Sequence, residues 1–290
     1  MSPAELLQHI NTIHQTTFAL GEQYPDGEQG AFAITDQSKR LYVLKWAPGA
    51  CNLSWMQGAK TVTDLLRSIG YPAPSYLLIE RAPGGIYSIQ SALPGSPLRS
   101  LTTTLLPRLL ELNRLQVGRA IPGRKDWHQE VISTVLSGGE GYCLHASLQQ
   151  YSRGTADLLQ ELQTLVVAHQ DEPHRTSDIV HGDFQHSNIL MHNEQISGVI
   201  DWDGSYAGDC TFDVATLLFY SYDVLEVREQ LWDYALERAS LELLSMYFAH
   251  LILRQVDWSL RYHDQATSER YITRGQMLLQ EIAYRSRSAG

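Results

Sequence analysis

The chain reads HGDFQHSN at residues 181–188 and IDWD at residues 200–203. The polar residues of both stretches follow short apolar runs of the kind that form buried strands. The segments between them, residues 189–191 and 196–200, are suited to form the two arms of a β-hairpin. Such a hairpin would bring the end of the first stretch close to the carboxylates of the second, although the two are distant in sequence.

The residue types in these stretches suit phosphoryl transfer, a reaction that asks little covalent chemistry of the protein. It needs a carboxylate near the attacking hydroxyl, ligands for a metal that offsets phosphate charge, and a cation on the phosphate chain. Asp183 can orient a hydroxyl and accept its proton. Asn188 offers an amide oxygen and Asp201 a carboxylate, and Mg²⁺ prefers oxygen ligands. The nucleotide would supply the remaining ligands.

Each of these polar residues also has a purely structural explanation. Asp and Asn often hydrogen-bond their own backbone in turns, and Asp183 or Asn188 taken alone would be interpreted in that way. Their joint occurrence with Asp201 favours the catalytic interpretation. Asp209 and Asp213 stand where a helix should start, so capping is the favoured role for both.

The same residues resemble the aminoglycoside phosphotransferase family of small-molecule kinases, which shares the protein-kinase-like fold. The catalytic loop of that family is His-Gly-Asp, four residues, then Asn. Its metal motif is Ile-Asp, an aromatic and an acidic residue, followed by Gly-Asp and a further Asp. This chain carries these elements in that order at residues 181–188, 200–203, 208–209 and 213.

The resemblance implies roles for individual residues. Asp183 would be the catalytic base, and Asn188 and Asp201 would hold Mg²⁺. Asp213 would be the buried carboxylate at a helix start that braces the catalytic loop. The implied reaction transfers the γ-phosphoryl group of ATP or GTP to a hydroxyl of a small molecule.

The remaining pattern predicts an α+β fold with a small β-rich N-lobe and a larger, mainly helical C-lobe. The front part should contain one amphipathic helix and four strands, the helix at 54–69 and the strands at 31–34, 41–46, 76–80 and 86–93. The back part should be helical at 101–116, 126–136, 156–169 and over most of 213–286. A Pro/Gly break after residue 93 separates the two, so we predict lobes at 1–93 and 94–290.

The N-lobe should bind the nucleotide. Lys45 ends an apolar strand, the position from which a kinase lysine reaches the α- and β-phosphates. Gly27 and Gly30 keep part of the spacing of a phosphate-covering loop. By resemblance to the family, the hinge backbone would contact the base at Gln90, Ser91 and Ala92.

One departure from the kinase pattern concerns the partner of Lys45. Kinases pair this lysine with a Glu on the following helix, but no Glu occurs between Lys45 and Glu80. The only acid in that interval, Asp64, should face solvent. Either Lys45 pairs directly with Asp201 and the phosphates, or the helix is rotated from the orientation that places Asp64 toward solvent. The departure also keeps open a pseudokinase that binds nucleotide without turnover.

The acceptor side has a less specific pattern. Residues after Phe219 carry many acids and aromatics, which suits a cationic acceptor such as an aminoglycoside through carboxylate and cation–π contacts. We predict acceptor contacts from Asp203, Asp257 and Asp264. The same pattern is compatible with a metabolic kinase for choline, a sugar-amine or homoserine, and scattered acids on helices are commonly only solvated faces.

Composition narrows the class of protein. The formal net charge of -10 argues against nucleic acid as a partner, because phosphate binding needs clustered Lys and Arg. No stretch approaches the roughly 20 apolar residues that span a bilayer. The N-terminus lacks a secretory signal pattern, and the 3 cysteines have no metal-ligand spacing. We expect a cytoplasmic protein with reduced thiols.

Overall fold

A computed structural model of the chain describes residues 1–24, 30–49, 53–139 and 141–289. The chain forms two compact units: residues 1–98 with 187–205, and residues 99–186 with 206–290. The units differ from the predicted lobes in one respect, because the segment 187–205 belongs with the N-terminal residues. The division into a nucleotide lobe at 1–93 and an acceptor lobe at 94–290 stays a prediction.

The first unit is built around an antiparallel sheet of five strands. They are β1 (Ala19–Gln23), β2 (Ala31–Thr35), β3 (Leu41–Pro48), β4 (Tyr76–Ala82) and β5 (Gly85–Ser91). Their order in the sheet is β1-β2-β3-β5-β4. Because side chains alternate along a strand, Leu44 and Lys45 of β3 point to opposite faces. Leu44 is fully buried in an apolar cluster, which leaves Lys45 on the other face.

A helix that the sequence interpretation missed covers the Leu44 face. This helix, α1 (Pro3–His14), begins with a capping box in which Ser2 and Glu5 satisfy each other's backbone N–H groups. Its buried residues Leu6, Leu7 and Ile10 pack in the same cluster as Leu44. The sequence pattern predicted a strand-rich N-terminal part with one helix at 54–69, so α1 is an additional helix, although its capping-box pattern was present in the sequence.

The predicted amphipathic helix is confirmed as α2 (Leu53–Ser68). Ala59, Val62 and Leu66 of the predicted apolar stripe are fully buried, as that prediction requires. The chain leaves the helix through Gly70, whose φ of +84° is easily adopted only by glycine. Asp64 is exposed and pairs with Lys60, so it does not serve as the missing kinase Glu.

The predicted hairpin is confirmed as β8 (Ile189–His192) and β9 (Gln195–Val199). The two-residue strand β6 (Ser96–Pro97) pairs with β8 on the side away from β9. The hairpin is tied to the N-terminal residues by a hydrogen bond from Val199 N to Pro72 O, 2.7 Å long. Gly95 must be glycine, because a Cβ there would overlap the carbonyl oxygen of Met191. These contacts explain why the segment belongs to the first unit.

The second unit is helical. Its helices are α3 (Leu106–Arg114), α4 (Trp127–Ser137), α5 (His145–Tyr151), α6 (Arg153–His169), α7 (Thr211–Tyr220), α8 (Leu225–Leu236), α9 (Leu241–Tyr262) and α10 (Gln265–Ala289). A short antiparallel pair, β7 (Asp178–Val180) with β10 (Tyr206–Gly208), precedes and follows the polar segments. The sequence pattern did not predict α5 or β10, and it predicted α3 longer than it is, at 101–116. The predicted α+β class, a β-rich front and a helical back, is confirmed.

Candidate active site

The strand lysine pairs with both carboxylates of the IDWD stretch. Lys45 Nζ lies 2.7 Å from Asp201 Oδ1 and 2.9 Å from Asp203 Oδ2. The Tyr76 hydroxyl donates to the other oxygen of Asp203 at 2.5 Å. The predicted pairing of Lys45 with Asp201 is present in the structure. Asp203 is thus a second carboxylate partner of Lys45, and its predicted contact with the acceptor stays a prediction.

These carboxylates also determine the protonation of the lysine. Burial alone would lower the pKa of Lys45, but the charges and hydrogen bonds of Asp201 and Asp203 outweigh it and raise the pKa above its ordinary value. Lys45 is therefore an ammonium at neutral pH, as its predicted contact with the phosphates requires.

Asp201 is held in an unusual backbone conformation. Its φ of 71° and ψ of 50° lie in the left-handed region, which residues other than glycine seldom adopt. Trp202, the next residue, is fully buried and donates its indole N–H to Val199 O, and its ring meets Tyr71 edge to face. This anchored turn explains how Asp201 can keep a costly conformation that exposes nearly half of its side chain, 47%.

The hairpin brings the two predicted metal ligands together at the backbone. Ile200 N donates to Asn188 O at 2.9 Å, which sets Asn188 beside the residue that precedes Asp201. Asn188 ends a short 3₁₀ turn, His186–Asn188. An amide oxygen and a partly exposed carboxylate are hard oxygen donors of the kind that Mg²⁺ takes, so the residues present fit this ion. The structure thus bears out the predicted proximity.

Asp183, the predicted base, lies in the second unit. Gln185 Nε2 donates to both of its carboxylate oxygens, at 3.1 and 3.0 Å, and Arg254 Nη2 donates to Oδ1 at 3.0 Å. The backbone N–H of Asp183 donates to Nδ1 of the buried His181 at 3.2 Å. About a third of the Asp183 side chain, 34%, is exposed. The carboxylate is therefore both fixed in place and accessible.

The predicted brace of this loop is confirmed. Asp213, fully buried near the start of α7, accepts hydrogen bonds from His181 N at 2.9 Å and Gly182 N at 3.0 Å. Gln116 donates to the same carboxylate at 2.6 Å. Burial raises the pKa of Asp213, against the opposing effect of His181 and of these hydrogen bonds. Asp209 accepts from Thr211 N at 2.8 Å, the capping contact predicted for it.

A second cluster of possible metal ligands is already paired with an arginine. Asp178, Asp209 and Cys210 are buried close together. The guanidinium of Arg175 lies 2.9 Å from Asp178 and 3.0 Å from Asp209. Since Arg175 pairs with both carboxylates, this cluster is a structural ion-pair network.

The predicted nucleotide residues differ in what the structure says of them. Gly27 lies outside the described residues, and Gly30 has a φ of +76°, typical of a glycine turn. Gln90 and Ser91 are inside β5, where Ser91 N already donates to Ser75 O at 2.8 Å. Ala92, just after the strand, keeps the place of a hinge residue. Contact of this segment with a base stays a prediction.

The two late acids predicted to contact the acceptor have structural partners. Asp257 is fully buried, paired with Arg261 at 2.8 Å and hydrogen-bonded by Ser147. Its burial argues against contact with an acceptor. Asp264 is exposed and accepts from Thr267 N at 2.8 Å, a cap for α10 that lowers its pKa. For Asp264 the acceptor role stays a prediction.

Sequence reasoning missed three residues that hold the predicted site residues, namely Tyr76, Gln116 and Arg254. Tyr76 and Gln116 gave no signal, because their partners lie far away along the chain. Arg254 did give one. It is the only charged residue between Glu242 and Asp257 in a mainly apolar stretch, and a lone charge in such a stretch is normally buried only when it is paired.

Comparison with known proteins gives the family and the fold. A model of the phosphotransferase enzyme family matches residues 22–244. A 66-residue segment is 35% identical to hygromycin-B 4-O-kinase of Escherichia coli, but it spans only 19% of that relative. None of the helices in the described part of the chain is long and apolar enough to cross a membrane.

Two solved structures have the same fold over nearly the whole chain. Aminoglycoside phosphotransferase APH(4)-Ia, solved with ADP and hygromycin B, superposes with a TM-score of 0.71 at 20% identity, over 97% of this chain and 98% of that one. Choline kinase LicA from Streptococcus pneumoniae superposes with a TM-score of 0.62 at 13% identity, over 97% and 99%. The family match, which covers the catalytic loop and the metal motif, shows that the chain belongs to the phosphotransferase enzyme family.

Proposed function

We propose that the chain transfers the γ-phosphoryl group of ATP or GTP to a hydroxyl of a small cationic molecule, with an aminoglycoside as the favoured acceptor. The observation that carries this proposal is the pairing of Lys45 with Asp201 at 2.7 Å. Phosphoryl transfer needs a cation on the phosphate chain and a carboxylate for the metal, and this pairing holds a charged lysine and such a carboxylate side by side.

In the proposed reaction, Asp183 accepts the proton of the acceptor hydroxyl and aims its oxygen at the phosphorus. Lys45 binds the α- and β-phosphates with its ammonium. Asn188 and Asp201 would hold Mg²⁺ with an amide and a carboxylate oxygen. Mg²⁺, when bound, supplies positive charge that offsets the charge of the phosphate oxygens. The proposed nucleotide contacts also include the loop at Gly27 and Gly30 and the hinge at Ala92.

The proposed class of acceptor rests on charge. The net charge of -10 favours binding of cations, and a neighbour of the same fold binds hygromycin B. The second candidate is a metabolic kinase, because a choline kinase also shares the fold. The pseudokinase alternative loses much of its motivation, since Asp201 and Asp203 supply the partners that the missing Glu left open. We propose the cytoplasm as the location.

A panel assay tests the proposal. The protein is incubated with Mg²⁺, ATP or GTP, and each of several aminoglycosides including hygromycin B, peptide antibiotics, choline and homoserine. Mass spectrometry should find one acceptor carrying an added phosphoryl group, with nucleoside diphosphate formed in equal amount. Thermal stabilisation by nucleotide without product from any panel member would instead favour the pseudokinase.

A further inference from the structure

The guanidinium of Arg254 connects the predicted base to helix α9. Arg254 Nη1 donates to the carbonyl oxygen of Gly182 at 2.8 Å, and Nη2 donates to Asp183 Oδ1 at 3.0 Å. The two acceptors belong to consecutive residues, one through its backbone and the other through its side chain. Arg254 therefore contacts the loop at two points and restrains both the peptide and the carboxylate.

Arg254 is itself firmly held. It projects from α9, whose neighbouring residues Leu253 and Val256 are fully buried, and only 16% of its own side chain is exposed. Burial would lower the pKa of Arg254, but the charge of Asp183 outweighs it and the pKa is raised. The residue is thus a fixed, permanently charged donor on a packed helix.

Both backbone polar groups of Gly182 are hydrogen-bonded to side chains. Its N–H donates to Asp213 of α7 and its carbonyl oxygen accepts from Arg254 of α9. Its φ of +82° is a conformation that favours glycine. Since Asp183 follows directly, the orientation of the peptides on either side of Gly182 decides where the carboxylate points. The loop has one brace in the recognised family motif and a second one outside it, because α9 residue 254 lies beyond the matched residues 22–244.

We propose that Arg254 is a positioning residue that holds the Asp183 carboxylate in line with the acceptor hydroxyl. This inference rests on the proposed function. In the transfer step, a bond forms between the acceptor oxygen and the γ-phosphorus while the bond from that phosphorus to the β–γ bridging oxygen breaks. The hydroxyl proton passes to Asp183. Arg254 keeps its charge throughout and transfers nothing.

The two hydrogen bonds require an arginine at position 254. The two donated N–H groups leave one planar fork in directions set by the guanidinium, so both acceptors are fixed relative to each other. A lysine at this position would supply charge to Asp183 but only one point of attachment. A methionine would supply neither, with a similar apolar stem.

The test compares Arg254→Met and Arg254→Lys with a matched control, Arg285→Met. Arg285 lies on α10 in the same unit, has 22% of its side chain exposed and pairs with Glu281 at 2.8 Å. It therefore shares the burial and ion pairing of Arg254 without touching the loop. Each variant is measured for kcat, for KM of nucleotide and acceptor, and for melting temperature.

We expect Arg254→Met to lower kcat by about 10- to 100-fold, because small misplacements of a catalytic group have effects of that size. The KM values should change little, Arg254→Lys should recover part of kcat, and Arg285→Met should retain it. A kcat of Arg254→Met within twofold of the wild type would overturn the proposal. So would losses that merely follow the melting temperature in all three variants.

A second measurement does not depend on turnover. Hydrogen–deuterium exchange of the peptide that covers residues 180–185 should be about tenfold faster in Arg254→Met, since a charge-assisted restraint has been removed, and unchanged in Arg285→Met. Unchanged exchange in both variants would overturn the positioning role even if the protein is not a kinase. Absence of turnover by the wild type, with faster exchange in Arg254→Met, would count against the proposed function alone.

Discussion

The ammonium of Lys45 lies 2.9 Å from the carboxylate of Asp203, a residue that belongs to the same short motif as Asp201. Kinases ordinarily draw the second partner of this lysine from a helix. Here the helix α2 presents only the exposed Asp64, and Asp203 takes the place instead, held by the Tyr76 hydroxyl. The lysine and both of its partners are thereby placed within one unit of the chain.

Replacement of Asp203 should weaken nucleotide binding. In Asp203→Asn, Lys45 keeps its pairing with Asp201 but loses its second carboxylate partner. Since the side chains of Lys45 and Asp203 are both partly exposed, we expect nucleotide binding to weaken by about 1 kcal/mol, or roughly fivefold in Kd. Titration calorimetry with ATP and Mg²⁺ measures this. Asp64→Asn, which removes an exposed acid of α2, is the control and should bind as the wild type does. Equal Kd values for the two variants would refute the role of Asp203.

Removal of the lysine should have a larger effect. Lys45→Met takes the cation from the phosphates and leaves Asp201 and Asp203 facing each other, so we expect at least about tenfold weaker nucleotide binding. Because the two carboxylates raise the pKa of Lys45, its contribution should not titrate between about pH 6 and about pH 9. Nucleotide affinity that falls in the wild type but not in Lys45→Met across this range would contradict the assignment.

Loss of the loop brace should lower stability. In Asp213→Ala the N–H groups of His181 and Gly182 and the amide of Gln116 lose a common acceptor in a fully buried place. Unsatisfied buried donors of this kind cost about 1–3 kcal/mol each, so the urea midpoint should fall clearly. Asp264→Ala, which removes an exposed cap, should shift the midpoint less. The reverse order would show that Asp213 is not the brace.

Part of the acid sensitivity should come from the buried His250. His250 is fully buried, and within the described residues neither of its ring nitrogens has a hydrogen-bond partner. Burial, with the charge of Arg254, lowers its pKa well below 6.5. The unfolded chain then binds a proton at a higher pH than the folded chain, so stability is lost as the pH falls below about 6.5.

His250→Phe should reduce that loss, because its ring can keep the edge-to-face contacts with Trp127 and Phe212 without titrating. Melting temperatures at about pH 7.5 and about pH 5.5 give the comparison. His192→Gln, at an exposed position of β8, should retain the wild-type pH dependence. A drop between the two pH values that is as large in His250→Phe as in the wild type would contradict this account.

The sequence was informative where the signal is local. The catalytic loop, the hairpin between Asn188 and Asp201, and the amphipathic stripe of α2 depend on neighbouring residues and were predictable from them. The same holds for the capping contact of Asp209. By contrast, α1 was not predicted, although its capping box, Ser2 with Glu5, is an equally local signal.

Contacts between residues far apart in sequence could not be predicted in the same way. Tyr76 gives no sign in the sequence that Asp203 is its partner, and the aromatic neighbours of Asp257 suggested a binding surface where the structure has a buried ion pair. Arg254 is the intermediate case. It is the only charged residue between Glu242 and Asp257, a local sign of burial that the sequence analysis did not use, and the choice of Asp183 as its partner depends on how α9 packs in the folded chain.

The proposed reaction depends above all on Asp183 as the base that accepts the hydroxyl proton. The most direct test is the initial rate of phosphorylated product, measured by mass spectrometry for the wild type and for Asp183→Asn with the acceptor that the panel identifies. A general base contributes about 10²–10⁴-fold, so the rate should fall by that factor while the urea midpoint changes little. A variant that forms product at the wild-type rate would contradict the account.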